Sequence, residues 1–329
     1  MKILVIRLSS IGDIILTTPV LKAFKEKYPD SVVDFLVMDK FKDSIEGSAY
    51  VDNLILFKKG ENDGIENLRK FAKKLKENNY DYIFDLHGKF RSLALTKFIG
   101  VKSYRYKKRS LWKTVLVKMR AIRYSVDDTI VKNYFGAFKN FGIKYSGEKI
   151  EFPFSERELE AIDKNYYGLP IIAPGASKNT KKWLPEELGK LAKLFYEKWG
   201  VKTLIIGGPE DNGRAEIIYE ASGGVTVNLT GKLTLKESGA LLSKGRFLVT
   251  NDSGPFHMGR GVGCRTFVIF GPTDPGMFEL GERDTLIYRG EACSPCSLHG
   301  DKECPKKHFN CMRNLKAEDV MAIIEKIGG

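Results

Sequence analysis

The sequence feature that most constrains the fold is the stretch from Arg246 to Pro275, RFLVTNDSGPFHMGRGVGCRTFVIFGPTDP. An apolar run over Phe247 to Thr250 predicts a buried parallel strand, and Asn251 to Pro255 have the composition that ends a strand and begins a helix. Thr266 to Phe270 predict a second strand. Two strands around a short helix form a βαβ unit, which indicates an α/β fold.

The start of the predicted short helix is suited to an anion. Asp252 and Ser253 are capping-type residues, and Pro255 is tolerated early in a helix because its missing N–H costs nothing there. The other N–H groups of the first turn then point out toward a ligand such as a phosphate. A capped helix in an ordinary α/β domain explains the same residues equally well.

The rest of the chain repeats the alternation of short apolar strands and amphipathic helices. It does so from Lys2 to Leu86 and again from Ile171 to Phe270, with Glu151 to Glu158 as the predicted linker. Pro19 is expected to break or kink the first helix. Alternation of this kind predicts parallel sheets with helices on both faces.

The length of 329 residues suits two such domains better than one compact core. We therefore predict two facing doubly wound parallel-sheet domains, with ligands bound in the cleft at the carboxyl ends of the strands. The predicted boundaries are residues 1–152 for the N-terminal domain, 153–314 for the C-terminal domain and 315–329 for a final amphipathic helix.

The formal net charge of +13 is concentrated in one segment. Residues 86–126, the basic segment, contain twelve of the 54 Lys and Arg residues and no Asp or Glu. Such a local excess indicates one surface that contacts an anionic partner. Trp112 and Met119 lie on an apolar helical face of this segment, which fits either a helix in lipid headgroups or a helix packed on its own domain.

Three loops of the second domain are predicted to open on the cleft. In the first, the turn at Gly175 precedes Lys181, so backbone N–H groups and an ammonium group are expected to meet a diphosphate together. In the second, Glu210 is placed to accept hydrogen bonds from ribose hydroxyls. The third contains Asp252, Ser253, Gly254 and His257.

Several nucleotide-binding motifs are absent from the sequence. There is no G-x-G-x-x-G after a predicted strand and no G-x-x-x-x-G-K-[ST], which argues against dinucleotide oxidoreductases and P-loop proteins. There is also no D-x-D, the acidic pair that many sugar-nucleotide enzymes use to hold a divalent metal. We therefore expect Lys181 and helix N-termini to neutralise the diphosphate, with no cofactor and no catalytic metal.

Three longer motifs are spread along essentially the whole chain: SSIGDIILTTP near the start, APGASKNTKKWLPEEL in the middle and NDSGPFHMGRGVGCRTFVIFGPTDP late in the sequence. Together they resemble the heptosyltransferase family of lipopolysaccharide core synthesis. The resemblance implies a GT-B-type fold, with the acceptor bound by the N-terminal domain and the nucleotide sugar by the C-terminal domain. It also implies inverting, metal-independent transfer of heptose from ADP-heptose to Kdo or the first heptose on lipid A.

The resemblance assigns roles to individual residues. It implies that Asp13 is the general base, that Lys181 binds the donor phosphates and that Glu210 binds the ribose. A helix-capping role explains Asp13 as well, and Lys182 is an alternative phosphate-binding lysine. The full set of predicted residues is Asp13 and Lys181 as catalytic; Gly12, Gly175, Ser177, Thr180, Glu210, Leu233 near the adenine, Asp252, Ser253, Gly254 and His257 as donor-binding; and Lys107, Lys108 and Arg109 as acceptor-binding.

Four cysteines cluster near the C-terminus with two histidines between them. Their spacing, C-x2-C-x7-C-x6-C, does not closely match a standard structural zinc site. A structural zinc, disulfides and reduced cysteines that pack a loop are all compatible with the sequence. The resemblance extends to the Cys-rich ends of members that add the second heptose, which favours that type. The residues are Cys293, Cys296, Cys304 and Cys311, with His299 and His308.

The alternative function is binding of RNA or an anionic membrane without transferase activity, and it rests on the basic segment alone. Phe90, Tyr104, Tyr106 and Trp112 are too few and too scattered to form base-stacking platforms, so we expect no nucleic-acid partner. The sequence has no apolar run that approaches the length of a membrane span, and its N-terminus lacks a signal-peptide pattern. We expect a cytoplasmic enzyme, peripheral to the inner face of the inner membrane, with a nucleotide-sugar donor and an anionic glycolipid acceptor.

Overall fold

The computed structural model of the chain describes residues 1–106 and 128–328, and these form two compact units. Within the described residues, the first unit comprises Met1 to Tyr106 and Asp128 to Pro153, and the second begins at Phe154. Each unit is a parallel sheet flanked by helices, which confirms the predicted α/β class with two doubly wound sheets.

The first unit is built on one parallel sheet. Its strands are β1 (Lys2–Ile6), β2 (Val32–Met38), β3 (Asn53–Phe57), β4 (Tyr82–Asp85) and β5 (Ser103–Arg105), and its helices are α1 (Ile11–Ile15), α2 (Thr18–Lys27), α3 (Ile65–Lys76), α4 (Phe90–Ile99) and α5 (Ile130–Phe138). The strand order is β3-β2-β1-β4-β5, so the direction of winding reverses between β1 and β4. Open α/β sheets bind ligands at the carboxyl ends of the strands beside such a switch point.

The second unit has a longer sheet of the same kind. Its strands are β6 (Ile171–Ala173), β7 (Thr203–Ile205), β8 (Thr226–Asn228), β9 (Leu248–Asn251), β10 (Thr266–Phe270) and β11 (Asp284–Tyr288), and its helices are α6 (Glu156–Glu160), α7 (Pro185–Trp199), α8 (Asn212–Ala221), α9 (Leu235–Lys244), α10 (Gly254–Gly261), α11 (Asn310–Arg313) and α12 (Ala317–Lys326). The strand order is β11-β10-β9-β6-β7-β8, with the switch point between β6 and β9.

Both sheets are covered on their two faces, which is why their strands are nearly continuous apolar runs. In the first unit, the rings of Phe84 and Phe138 stack with their centroids 3.8 Å apart, which packs α5 on β4. In the second, the buried Trp183 donates its indole N–H to the Leu315 carbonyl at 3.2 Å. This bond fixes the segment that leads into α12, so the C-terminal helix belongs to the core of the second unit.

Most of the predicted elements are confirmed, and the errors have local causes. The break at Pro19 is confirmed, because α1 ends at Ile15 and α2 has the proline in its first turn. Helix α6 begins inside the predicted linker, where the Ser155 N–H donates to the Glu158 carboxylate at 2.7 Å. The prediction did not include α4, β5, α5, α11 or β11. Among the described residues, no helix combines the length and the apolar character that a membrane span requires.

Candidate active site

In the second unit, the loops that follow β6 and β9 lie side by side at the switch point. Asn251, at the end of β9, holds them together through both ends of its buried amide. Its Nδ2 donates to the Pro174 carbonyl at 3.0 Å, and its Oδ1 accepts from the Trp183 N–H at 2.9 Å. A single side chain therefore fixes both ends of the loop that carries Lys181.

Lys181 and Asp252 form an ion pair at this point, with 2.7 Å between Nζ and Oδ2. Their side chains are only 11% and 5% exposed. A buried pair needs further hydrogen bonds to offset its desolvation, and the Thr273 hydroxyl supplies one to Asp252 Oδ2 at 2.9 Å. Because an ammonium group has three donors, Lys181 can hold Asp252 and still donate to a phosphate.

The predicted capping of α10 by Asp252 and Ser253 is wrong. The Asp252 carboxylate instead accepts from Lys181 and Thr273, and the Ser253 hydroxyl donates to the Asn251 carbonyl at 3.2 Å. The position before α10 is Ser253, and it makes no side-chain capping bond. The N–H groups of the first turn of α10 thus receive no side-chain cap from Ser253, and the anion site at this helix end stays a prediction.

The Gly-rich loops of this edge surround a buried acid that the sequence analysis did not single out. A Cβ added at Gly175 or Gly207 would overlap the carboxylate of Asp211, so a larger residue at either position would displace this acid. Burial, together with the charge of Glu210, raises the pKa of Asp211 above its usual value. Glu210 itself is exposed in a short 3-10 turn after β7, where it is free to meet a ligand.

In the first unit, Asp13 lies in α1, directly after the strand at the switch point. One carboxylate oxygen, Oδ2, accepts from Arg7 Nη2 at 2.7 Å and from the Ser10 hydroxyl and N–H at 2.9 and 3.2 Å. No hydrogen bond to the other oxygen, Oδ1, is found among the described residues. The side chain is 31% exposed. Asp13 therefore caps α1 through one oxygen while the other can accept a proton.

Arg7 is a functional candidate that the sequence analysis missed. Its buried guanidinium donates to the Leu86 carbonyl beyond β4, lies 5.6 Å from the centre of the Tyr134 ring and pairs with Asp13. It thus bridges the loops that follow β1 and β4. In the sequence alone, a basic residue after an apolar strand cannot be told from a solvent-exposed one. The role of Arg7 follows from the strand order, which places β4 beside β1.

The charge of Arg7 controls the protonation of Asp13. Burial favours the neutral carboxyl, but the charge of Arg7 and the hydrogen bonds from Ser10 outweigh it and hold the pKa of Asp13 below its usual value. Asp13 is therefore ionised throughout the neutral range. Its contribution to stability is present above the pKa of the unfolded chain and is lost as the pH falls through the lower folded value.

This pairing predicts the acidic side of the pH–rate profile. Activity that depends on ionised Asp13 should persist to a pH below the ordinary range of an aspartate. Replacing Arg7 with methionine should shift the acidic limb of the kcat/KM profile to higher pH by about 1–3 units, because an opposite charge at this distance shifts a pKa by about that amount. Kinetics over a pH series measure this shift.

The control for that experiment is Lys25→Met. Lys25 pairs with Asp52 at 2.6 Å at the amino edge of the same sheet, so its loss removes one cation from the first unit but leaves Asp13 alone. We expect an unchanged acidic limb in this variant. An unchanged limb in a folded Arg7→Met protein would show that Asp13 does not set it.

A sequence comparison with protein families supplies the deciding observation. The profile of glycosyltransferase family 9 (heptosyltransferase) matches residues 68–308, which is most of the chain. The chain belongs to glycosyltransferase family 9. The family predicted from the three motifs is confirmed, and so is the enzyme class, a glycosyltransferase that uses a nucleotide sugar.

Individual members of the family align with this family 9 glycosyltransferase over nearly its whole length. Lipopolysaccharide heptosyltransferase 3 of Escherichia coli K12 is 24% identical over 335 aligned positions, which cover 96% of this chain and 95% of that protein. A family 9 glycosyltransferase from Veillonella parvula has a similar structure, with a TM-score of 0.81, 20% identity and coverage of 99% and 96%. The structure of the E. coli ADP-heptose heptosyltransferase II is also similar, with a TM-score of 0.78 and 18% sequence identity. The match covers 99% of this chain and 98% of that chain. The fold is therefore the GT-B-type fold of these enzymes.

The remaining predicted site residues of this glycosyltransferase occupy different environments. Leu233 is half-buried just before α9, and Ser177 is exposed in the loop after β6. His257 is buried in α10, where its ring packs edge-on against Phe278 at 4.8 Å, a setting that suits packing rather than proton transfer. Gly12 is buried in α1 of the first unit, while the other predicted donor residues lie in the second.

Thr180, predicted to bind the donor, is buried, and its hydroxyl bonds to the backbone of Asp301 instead of facing a ligand. Lys107, Lys108 and Arg109 lie outside the described residues, as does the predicted helix around Trp112. Their acceptor-binding role stays a prediction.

The clustered cysteines of this glycosyltransferase are free thiols in the structure. Cys293 Sγ lies 3.7 Å from His308 Nε2. Burial and the neighbouring thiols raise the pKa of Cys296 to about 11 and that of Cys311 to about 12, so both are protonated at neutral pH. Within residues 1–106 and 128–328, no group of three or more His, Cys, Asp or Glu side chains is arranged to hold a metal ion.

Proposed function

We propose that this glycosyltransferase transfers heptose from ADP-heptose to a sugar of the lipopolysaccharide inner core, with inversion and without a catalytic metal. The E. coli relative and the solved heptosyltransferase II act, by their names, on lipopolysaccharide and on ADP-heptose. The observation that carries the proposal is the Lys181–Asp252 pair beside the uncapped start of α10. The pair places an ammonium group, and the helix start places backbone N–H donors, where a diphosphate would bind.

In this proposal the second unit binds the donor. Lys181 and the first-turn N–H groups of α10 neutralise the diphosphate, which becomes more negative as ADP departs. The turns at Gly175 and Gly207 enclose the Asp211 carboxylate at the same edge of the sheet. Glu210 accepts hydrogen bonds from the ribose hydroxyls, and Leu233 packs on the adenine.

Asp13 is the proposed general base of the first unit. A sugar hydroxyl is a weak nucleophile at neutral pH, and removal of its proton during attack is typically worth about 10²–10⁴ in rate. Oδ1 is the atom that takes the proton, since Oδ2 is held by Arg7 and Ser10. A single displacement with this base inverts the anomeric configuration, because the hydroxyl attacks from the face opposite the leaving ADP.

We propose that positive charge binds the acceptor, which is an anionic glycolipid. The basic segment would contact the phosphate groups of the glycolipid or anionic lipid at the inner face of the inner membrane, where each cation contributes on the order of 1 kcal/mol. Assays with truncated acceptors that end in Kdo or in the first heptose distinguish the two possible acceptors. A binding protein without transferase activity is no longer an alternative, because family 9 is an enzyme family.

The function is tested by incubating the purified chain with ADP-heptose and truncated inner-core acceptors, with and without excess EDTA. We expect ADP release that requires both substrates and is unchanged by EDTA, because Lys181 and α10 supply the positive potential. The test is needed, since the solved heptosyltransferase TibC is iron-containing. Loss of activity in EDTA that Mg²⁺ or Mn²⁺ restores in a folded protein would contradict metal independence. Loss that accompanies zinc release and melting would implicate the cysteines.

A further inference from the structure

The segment between β11 and α11, residues 289–309, has no helix or strand and carries three of the four clustered cysteines. We call it the Cys-rich segment. Irregular connections of this length are uncommon in compact domains and usually have a function. The segment contacts the loop of Lys181 at two places, which together suggest what that function is.

The first contact is a set of backbone-directed hydrogen bonds to Thr180. The Thr180 N–H and hydroxyl donate to the Asp301 carbonyl at 3.2 and 3.0 Å, and the Asp301 N–H donates to the Thr180 hydroxyl at 2.7 Å. Thr180 is buried, so these bonds are shielded from water. The residue next to Lys181 is therefore fixed to the Cys-rich segment, 121 positions away in sequence.

The second contact is the close approach of Gly300 to Lys181 itself. Gly300 has a φ of +76°, and a Cβ added there would lie 2.7 Å from Lys181 Cγ, 2.9 Å from Lys181 Cδ and 2.9 Å from Lys178 Cβ. These atoms are near the backbone end of each side chain, so they cannot move aside freely. The backbone of the segment thus lies directly against the stem of the lysine, and only glycine permits this.

Lys181 is consequently held from two sides. Asp252 binds its ammonium group at 2.7 Å, and the Cys-rich segment packs on its methylene stem. A lysine side chain has many rotamers, and fixing it before the ligand arrives removes an entropic cost of binding. We propose that the Cys-rich segment is a clamp that fixes Lys181 in its diphosphate-binding position, with Gly300 and Thr180 as positioning residues.

The clamp rests on the proposed function, because it assumes that Lys181 binds the donor diphosphate. Gly300→Ala tests it, and the chain offers a matched control in Gly263→Ala. Gly263 belongs to the same unit, has a φ of +73° and has no atom within 4 Å of an added Cβ. Both variants carry the same backbone strain, but only Gly300→Ala displaces Lys181.

The measurement is the affinity for ADP by calorimetry, together with the melting temperature. We expect both variants to melt lower by similar amounts, and Gly300→Ala alone to bind ADP about tenfold more weakly. In a Lys181→Met background, Gly300→Ala should have no further effect on ADP affinity, because the group that it misplaces is gone. A purely structural role would lower affinity equally in both backgrounds.

A second pair of variants guards against misfolding of Gly300→Ala. Thr180→Val keeps the shape of the side chain but loses both hydroxyl bonds to Asp301, whereas Thr180→Ser keeps the hydroxyl. We expect weaker ADP binding in the first and near-normal binding in the second. If Lys181→Met leaves ADP affinity unchanged, the proposed function fails. If it weakens binding while Gly300→Ala matches Gly263→Ala and Thr180→Val matches Thr180→Ser, only the clamp is wrong.

Discussion

Replacing Lys181 with methionine should weaken ADP binding by about 10- to 100-fold, because hydrogen bonds to charged groups are worth about 1.5–3 kcal/mol. Methionine has a similar length, so the contact with Gly300 is largely kept while the charge is lost. The variant also leaves the buried Asp252 carboxylate with Thr273 but without its cation. An uncompensated negative charge would then face the diphosphate and add to the loss.

The control for this prediction is the neighbouring Lys182→Met. Lys182 is half-buried on the same loop, and its charge acts on Asp211. Calorimetric titration of ADP into both variants, at a temperature where both are folded, separates the two lysines. A small effect of Lys182→Met beside a large effect of Lys181→Met is expected. The reverse order would identify Lys182 as the phosphate-binding lysine.

Much of the fold could be predicted from the sequence because its signals are local. Strands such as Asn53–Phe57 and Thr266–Phe270 are apolar after their first residue, and the turns that follow them contain Gly, Pro, Asn or Asp. β11 (Asp284–Tyr288) was also missed, and its apolar run is limited to Leu286 to Tyr288. Helix α4 was missed because the whole helix lies in the basic segment, whose charge dominated the interpretation.

The partners of the site residues could not be predicted in the same way. The sequence around Asp252 predicts a helix cap, but its carboxylate forms an ion pair with Lys181, which lies in the loop after the neighbouring strand β6. Thr180 was predicted to bind the sugar donor, but its hydroxyl donates a hydrogen bond to the Asp301 carbonyl. Arg7 contacts Leu86 only because β1 and β4 are neighbours in the sheet. Each of these contacts depends on strand order, which no local pattern specifies.

Replacing Asp13 with asparagine should have the largest effect on catalysis. Asparagine keeps the size of the side chain but cannot take a proton, so kcat should fall by about 10²–10⁴. The structure adds a cost in stability, because the buried Arg7 loses its charged partner, a change worth about 1–3 kcal/mol. The melting temperature should therefore fall, and rates must be compared where both proteins are folded.

Ser10→Ala is the matched control for the capping role of Asp13. It removes the hydroxyl bond to Oδ2 but keeps the carboxylate and its pair with Arg7. If Asp13 served only to cap α1, both Ser10→Ala and Asp13→Asn would reduce the rate of the folded protein only to a small extent. If Asp13 is the base, only Asp13→Asn removes the catalytic group, and Ser10→Ala keeps most of its activity.

The measurement that tests the central claim most directly is the single-turnover rate of heptose transfer by folded Asp13→Asn, at saturating ADP-heptose and acceptor. The account predicts a rate about 10²–10⁴-fold below wild type, with the affinity for ADP unchanged because the proposed ADP site lies in the second unit. A folded variant that retains more than about a tenth of the wild-type rate would contradict the assignment of Asp13 as the base.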